Sequence, residues 1–444
     1  MPNPALATLS LVLSRFSLHF GAPSFFHHLV LVVGWLLCEP GRHCVTEALV
    51  SAAVSGTLDW WPFHRFFSRA TWSIDRLGLT VAELLRQLRL DWFVVIDDTL
   101  CRHKGAHVFG AAMHVDPVTS TASHKNFVRG HCWVVLSVVF SVPWSPHPWA
   151  VPILFRLYRG KGDDWPKKTA LARQMLGVFV DWLGKGVAVR VLLDSGYMAR
   201  DVVAGWPKPL TFFGALRTNA ALFAPLTAPQ GRRRRGDRLP TPAQMARDGK
   251  PWDKLELALY GRDVVKQVRS CLAQWWHVFG AETGRLVVVR EDAKKVRVFF
   301  CTDPLLTVSE VLTCYSFRWP QEVWHRAAKQ QLGFDESPAR SELAALRTAP
   351  WVGLLTGVLV VWFWRVWQSD VVRLPVRPWY PHKEGLCLAD VVRAARRTLG
   401  GVADVEAWAR AVVEREAWVF EGALRAPKQE NAAATEKVPM GQAA

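Results

Sequence analysis

The stretch WFVVIDDT, residues 92–99, decides the fold. Its first five residues are apolar and rich in β-branched and aromatic types, the composition of a strand covered on both faces. Two acids, Asp97 and Asp98, and Thr99 close it. Successive side chains on a strand point to opposite faces, so only one of the two acids can reach a given site.

The pattern continues outward from there. Residues 108–115 form a second apolar run, and the valine-rich residues 132–142 a third, ended by Pro143. Residues 165–183 have helical periodicity, with Lys167, Lys168 and Arg173 on one side. Residues 187–193 are a fourth strand and again end in an acid, Asp194, followed by Ser195, Gly196 and Tyr197. A short helix over 199–204 leads to a fifth strand over 210–216, ending at Arg217. Three strands, a helix, a strand, a helix and a strand predict an α/β ribonuclease-H-like core with a mixed sheet. An Asp after a strand often only starts a turn. Two of them, each closing a buried apolar run, carry more weight.

The composition shifts over residues 219–306. A glycine-bounded run, Arg232, Arg233, Arg234 and Arg235, precedes a proline-rich stretch and four strand-like segments, at 255–260, 263–268, 285–290 and 295–300. This is a mostly β, basic insertion, and its arginines are suited to phosphate. The core resumes over 307–370. Thr307 and Glu310 have capping-box spacing. They precede YSFRWPQEVWHRAAK, residues 315–329, in which Tyr315, Arg318, Glu322 and Lys329 follow Y-x2-R-x3-E-x6-K. On a helix Tyr315, Glu322 and Lys329 share a face, with Arg318 beside it. A plain surface helix carrying ion pairs would look the same. Pro320 predicts a kink or a restart.

Residues 1–90 read as an all-helical domain, with Thr80 and Glu83 as a capping box and an aromatic, basic stretch over 60–67 that either stacks on bases or packs a small core. Residues 371–425 read as a C-terminal helical region and 426–444 as a disordered tail.

The chain has 444 residues and a formal charge of +17, which favours a polyanionic partner and nucleic acid above a membrane surface. Its eight cysteines include no C-x2-C pair, so neither a zinc ribbon nor a disulfide framework is expected. No basic, apolar leader opens the sequence, and a reducing, cytoplasmic setting at the nucleoid is expected. The apolar run over 349–364 contains Pro350, Gly353, Thr356 and Gly357 and reads as a core helix instead of a membrane span.

Phosphodiester cleavage and strand transfer need an activated oxygen nucleophile and a stabilised leaving oxygen, which two hard cations about 4 Å apart can supply. Carboxylates suffice to hold magnesium, which keeps several waters. Asp98, Asp194 and Glu322 are the candidate acids, with Asp97 the close rival to Asp98.

The IDDT at 96–99, the LLDSGY at 192–197 and the complete Tyr315–Arg318–Glu322–Lys329 signature resemble the bacterial insertion-sequence DDE transposases. The stretch over 301–334 is most similar to their YREK-signature branch, with its DDE-superfamily endonuclease domain. The resemblance covers residues 90–345 and only loosely the helical N-terminus. It implies two magnesium or manganese ions on Asp98, Asp194 and Glu322. It implies DNA phosphate contacts by Tyr315, Arg318 and Lys329, with Trp319 packing or stacking beside them. Arg217 and the Arg232–Arg235 run would extend that DNA surface. The implied activity is cleavage at the element's terminal inverted repeats, then transfer of the 3′-OH strands into target DNA within a homo-oligomer. The competing expectations are a stand-alone ribonuclease-H-like nuclease and a domesticated DNA-binding protein.

Overall fold

The computed structural model describes residues 3–416 except 89–90, 117, 122, 161–164, 207–208, 227–234, 260, 293–294 and 369–376. Arg232, Arg233 and Arg234, and the tail over 426–444, therefore lie outside the described residues.

Five helices come first: α1 (Pro4–Ser14), α2 (Ala22–Leu37), α3 (Val45–Ser51), α4 (Trp61–Ser68) and α5 (Ile74–Arg86). Helix α5 starts six residues before the expected capping box. Ser73 caps it, and Thr80 instead returns its hydroxyl to the Arg76 carbonyl inside the helix. A serine two turns upstream can claim the helix start because Ile74 and Leu77 already continue the apolar stripe. In α4 the aromatic stretch divides: Phe63, Phe66 and Phe67 are buried, while Trp60 and Trp61 are exposed and stacked 4.5 Å apart.

The central sheet follows. Strands β1 (Trp92–Arg102), β2 (Ala112–Val115), β3 (Phe127–Phe140) and β4 (Trp149–Tyr158) precede α6 (Lys168–Leu183), β5 (Val189–Leu193), α7 (Arg200–Val203) and β6 (Leu210–Leu216). Strand β3 runs antiparallel to both β1 and β4, and β1, β5 and β6 run parallel. The order β4-β3-β1-β5-β6 is the ribonuclease-H-like arrangement. Strand β4 has no counterpart in the sequence reading. Prolines 143, 146, 148 and 152 hide it, and Pro152 is tolerated because β4 pairs on one side only, next to a register shift in β3.

Short helices α8 (Pro242–Met245) and α9 (Trp276–Phe279) accompany β7 (Asp253–Leu259), β8 (Arg262–Gln274), β9 (Thr283–Arg290) and β10 (Val296–Cys301). These four strands do not form a separate sheet. Strand β10 pairs antiparallel with β6, and β9, β8 and β7 extend the sheet outward to ten strands.

The chain then returns through α10 (Val308–Ser316), α11 (Trp319–Leu332), α12 (Glu342–Val366), α13 (Leu388–Leu399) and α14 (Val405–Arg415). Thr307 and Glu310 make the expected capping box, and Pro320 sits in the first turn of α11, where its missing N–H costs nothing. Helix α12 is long and apolar enough to cross a membrane, but 83% of its apolar window is buried inside the protein. It packs against α1, α4, α5 and β4. Glycine at position 78 lets α5 touch β4, since a Cβ there would lie 1.8 Å from the Ile153 carbonyl oxygen. One hydrophobic core runs through the N-terminal helices, the sheet and α12.

The helical N-terminus is also clamped to the end of α11. Glu336 accepts hydrogen bonds from the Gly41 and His43 backbone N–H groups and from the His43 ring, at 2.8–2.9 Å. Burial alone would raise the Glu336 carboxyl, but these donors outweigh it and hold the group below its usual value. A carboxyl depressed on folding stabilises the fold above its unfolded pKa and loses that contribution as pH falls through its folded pKa. Glu336→Gln should therefore cost about 1–3 kcal/mol in urea unfolding at pH 7, with the gap to wild type closing below about pH 4.

Candidate active site

Strand β1 does not stop at its two acids, as the sequence suggested, but runs on to Arg102, and it places Asp97 and Asp98 on opposite faces of the sheet. The last parallel pair of β1 and β5 is Ile96 with Leu193, so one step further on Asp97 lies beside Asp194. Aligned residues of parallel strands share a face, which puts Asp97 with Asp194 and turns Asp98 away.

Helix α11 lies on the Asp97 side. Arg318, at its N-cap, donates from Nη1 to Asp97 Oδ2 at 3.0 Å and from Nη2 to Glu322 Oε1 one turn further along. Arg318 is mostly buried, and its Nε finds no hydrogen-bond partner among the described residues. Asp194 uses Oδ1 to accept the backbone N–H groups of Gly196 and Tyr197 at 2.8 and 3.0 Å, which fixes its turn. Burial, with repulsion from Asp194 and Asp98, pushes the Asp97 carboxyl up to about 7 against the pull of Arg318. Tyr315 is buried, with its ring 4.7 Å from Phe299, and burial raises its phenol. Lys329 donates to the Leu100 carbonyl oxygen of β1 at 2.7 Å, so in this conformation it ties α11 to the strand. Trp319 is half exposed at the start of α11. Arg217 is exposed at the end of β6, and the Arg235 guanidinium lies 4.4 Å over Phe223.

Asp98 belongs to a different group. Its Oδ2 accepts from Lys168 Nζ at 2.6 Å and from the Cys132 thiol at 3.3 Å, and its Oδ1 accepts from the Tyr197 hydroxyl at 2.8 Å. Burial opposes ionisation, but Lys168, Tyr197 and Cys132 together hold Asp98 below the usual carboxylate value. The structure thus gathers Asp97, Asp194, Glu322, Arg318 and Tyr315 on one face and places the expected Asp98 on the other. Sequence reasoning gave Lys168 and Tyr197 no role. The available signal was Lys168 at the first position of a helix, where a cation opposes the helix dipole unless an acid faces it.

Among the described residues no three His, Cys, Asp or Glu side chains are close enough to form a metal cage in this arrangement. Arg318 stands between two of the acids. The donors of the cluster are all carboxylate oxygens, which fits a hard cation such as magnesium or manganese and not zinc.

A ribonuclease-H-like sheet that presents carboxylates where its two central parallel strands stop pairing defines a class of phosphodiester-cleaving proteins. A sequence profile described as DDE superfamily endonuclease matches residues 16–273, more than half of the chain. The protein belongs to that family. No curated protein matches it. Among solved structures, a piggyBac transposase in a synaptic complex with hairpin DNA aligns over 92% of this chain and 74% of its own, at 11% identity and a TM-score of 0.42.

The raised Asp97 carboxyl gives a stability prediction. An ionised Asp97 is less favourable in the folded protein than in the unfolded chain, so a neutral isostere relieves a penalty. Asp97→Asn should raise the stability of metal-free protein at pH 8 by on the order of 1–2 kcal/mol in urea unfolding.

Proposed function

We propose that this protein is a DNA transposase of the YREK-signature insertion-sequence branch, and that Asp97, Asp194 and Glu322 are its catalytic acids. The observation that carries the reading is the Arg318 bridge from Asp97 to Glu322 beside Asp194. Acids far apart in the sequence meet there, within the motif that the branch shares. Family membership supports endonuclease chemistry.

In this reading Asp97, Asp194 and Glu322 hold two magnesium or manganese ions, which supply an activated oxygen nucleophile and neutralise charge on the leaving oxygen. The chain's own residues do the rest. Arg318 turns from the carboxylates to the phosphate when DNA enters, since a guanidinium forks as well onto phosphate as onto carboxylate. Lys329 adds a second positive charge next to β1. Tyr315 donates its hydroxyl as a neutral phenol. Trp319, exposed beside Arg318, packs along the nucleotide, and Arg217 and Arg235, with Arg232, Arg233 and Arg234, follow the backbone. The net charge of +17 supports a DNA partner.

The product of this chemistry is a 3′-hydroxyl at each element end, which then attacks target DNA. Two ends must be held together for that, so the active form is a homo-oligomer on DNA. The bacterial cytoplasm, at the nucleoid, is the setting that suits it. A stand-alone nuclease or a domesticated DNA-binding descendant would keep the same acids without end-specific cutting.

The test is cleavage of labelled DNA that carries the gene's own flanking ends, with magnesium. Wild type should cut at the element boundary, and Glu322→Ala should lose at least about 10³-fold in rate while still binding the ends. Cutting without regard to the boundary would leave a nuclease, and binding without cutting a repurposed protein. End binding by wild type should also weaken at least about tenfold between roughly 50 and 200 mM salt, measured by fluorescence anisotropy. A flat response would remove the phosphate-tracking role of the arginines.

A further inference from the structure

The Asp98 group joins three elements behind the acid site. Asp98 is the immediate neighbour of Asp97 on β1. Tyr197, 3% exposed, sits three residues after Asp194 in the turn that Asp194 itself caps. Lys168 opens α6, and its ammonium lies 5.3 Å from the centre of the Tyr158 ring on β4. One carboxylate therefore accepts from the turn of one candidate acid while standing beside the other on the same strand.

We propose that Asp98, Lys168 and Tyr197 form a positioning cluster that fixes the separation of Asp97 and Asp194 from the opposite face of the sheet, and so sets how tightly those acids hold a divalent cation. The inference rests on the reading of Asp97, Asp194 and Glu322 as the metal-binding acids. The physical argument is rotational. Asp97 and Asp194 lie just past the last pair of β1 with β5, while β1 itself continues to Arg102 on β3. Beyond Ile96 and Leu193 no further ladder pair holds β1 to β5. The Tyr197–Asp98 hydrogen bond, at 2.8 Å, crosses between the two elements just past that point and replaces the missing pair. Lys168 and the Cys132 thiol donate to the other carboxylate oxygen, at 2.6 and 3.3 Å, and hold the Asp98 side chain in the orientation that accepts from Tyr197. Asp98 has three donors on its two oxygens, so it is engaged as a support and not as a ligand.

The experiment is a calorimetric titration of Mn2+ into the metal-free, full-length chain, with unfolding curves to check each variant. Tyr197→Phe removes one hydrogen bond and little volume. It should stay folded and bind Mn2+ about 10–100-fold more weakly, with cleavage of end DNA recovering at high Mn2+. Lys168→Met should behave alike. Asp97→Asn should lose tight Mn2+ binding with no recovery. Unchanged Mn2+ affinity in Tyr197→Phe overturns the positioning role. Loss of Mn2+ binding in Asp98→Asn but not in Asp97→Asn also overturns it, by making Asp98 the ligand, and leaves the DDE reading intact. A parent protein that binds no Mn2+ while Glu322→Ala still cuts end DNA removes the acid-site reading itself, and the positioning role with it.

Discussion

Arg318 joins two carboxylates that lie far apart in the sequence, Asp97 on β1 and Glu322 one turn along its own helix α11. The rest of the architecture can be understood as what that junction requires. Three carboxylates cannot be gathered in a partly buried pocket without a cation, because each raises the cost of ionising the next. The upward push on Asp97 to about 7, with Arg318 already in place, shows that one guanidinium does not fully compensate the burial and repulsion there. A site in that condition has residual demand for positive charge. The same residue that satisfies part of this demand can also grip phosphate, so the pocket is poised between its internal ion pairs and an incoming polyanion with cations.

Holding such a pocket open opposes the tendency of the fold to close over it, and the surrounding core supplies the needed stiffness. The central strands β1, β3 and β5 are buried on both faces, and the central parallel pair is covered by α6 on the Asp98 side and by α10 and α11 on the other. Aromatic contacts mark the two layers: Trp92 packs on Phe179 and Trp182 of α6, while its neighbour Phe93 packs on Phe317 beside α11. The alternation that separates these two tryptophan and phenylalanine partners is the same one that separates Asp97 from Asp98.

Much of this was readable in the sequence, and the limits have physical causes. The apolar runs ending at Asp97 and at Asp194 announce β1 and β5, and the Tyr315–Lys329 spacing places Arg318 and Glu322 on one helix. The period of two says that Asp97 and Asp98 face apart. It does not say on which face α11 lies, because that depends on how the chain returns after more than a hundred residues, and the sequence reading accordingly favoured Asp98 while the structure turns it toward Lys168. Strand β4 was hidden for a local reason, its flanking and internal prolines, which an edge position makes harmless. The continuity of β7 to β10 with the central sheet was hidden for a non-local one. Their strand character is local, but pairing of β10 with β6 is a long-range choice that no window of sequence contains.

Helix α11 shows how a site on one element is made rigid by the whole fold. Its start is held to β1 by Arg318 and Asp97. In its middle, Trp324 donates its indole N–H to Thr356 Oγ1 on α12 at 2.9 Å, inside the core. Near its end Lys329 bonds the Leu100 carbonyl of β1, and Trp35 of α2 donates to the Leu332 carbonyl at 2.8 Å. Gly333, at φ 67°, then turns the chain against the His43 ring, where any Cβ would collide at 2.4 Å. Four anchors from three other elements, β1, α12 and α2, leave the helix little freedom to rotate about its axis. Glu322 needs that restraint, because a rotation of one residue would carry its carboxylate about 100° away from Asp97. The helical N-terminus, which contributes Trp35 and His43 to this anchoring, is therefore part of the scaffold that holds the acid cluster as well as a neighbour of it.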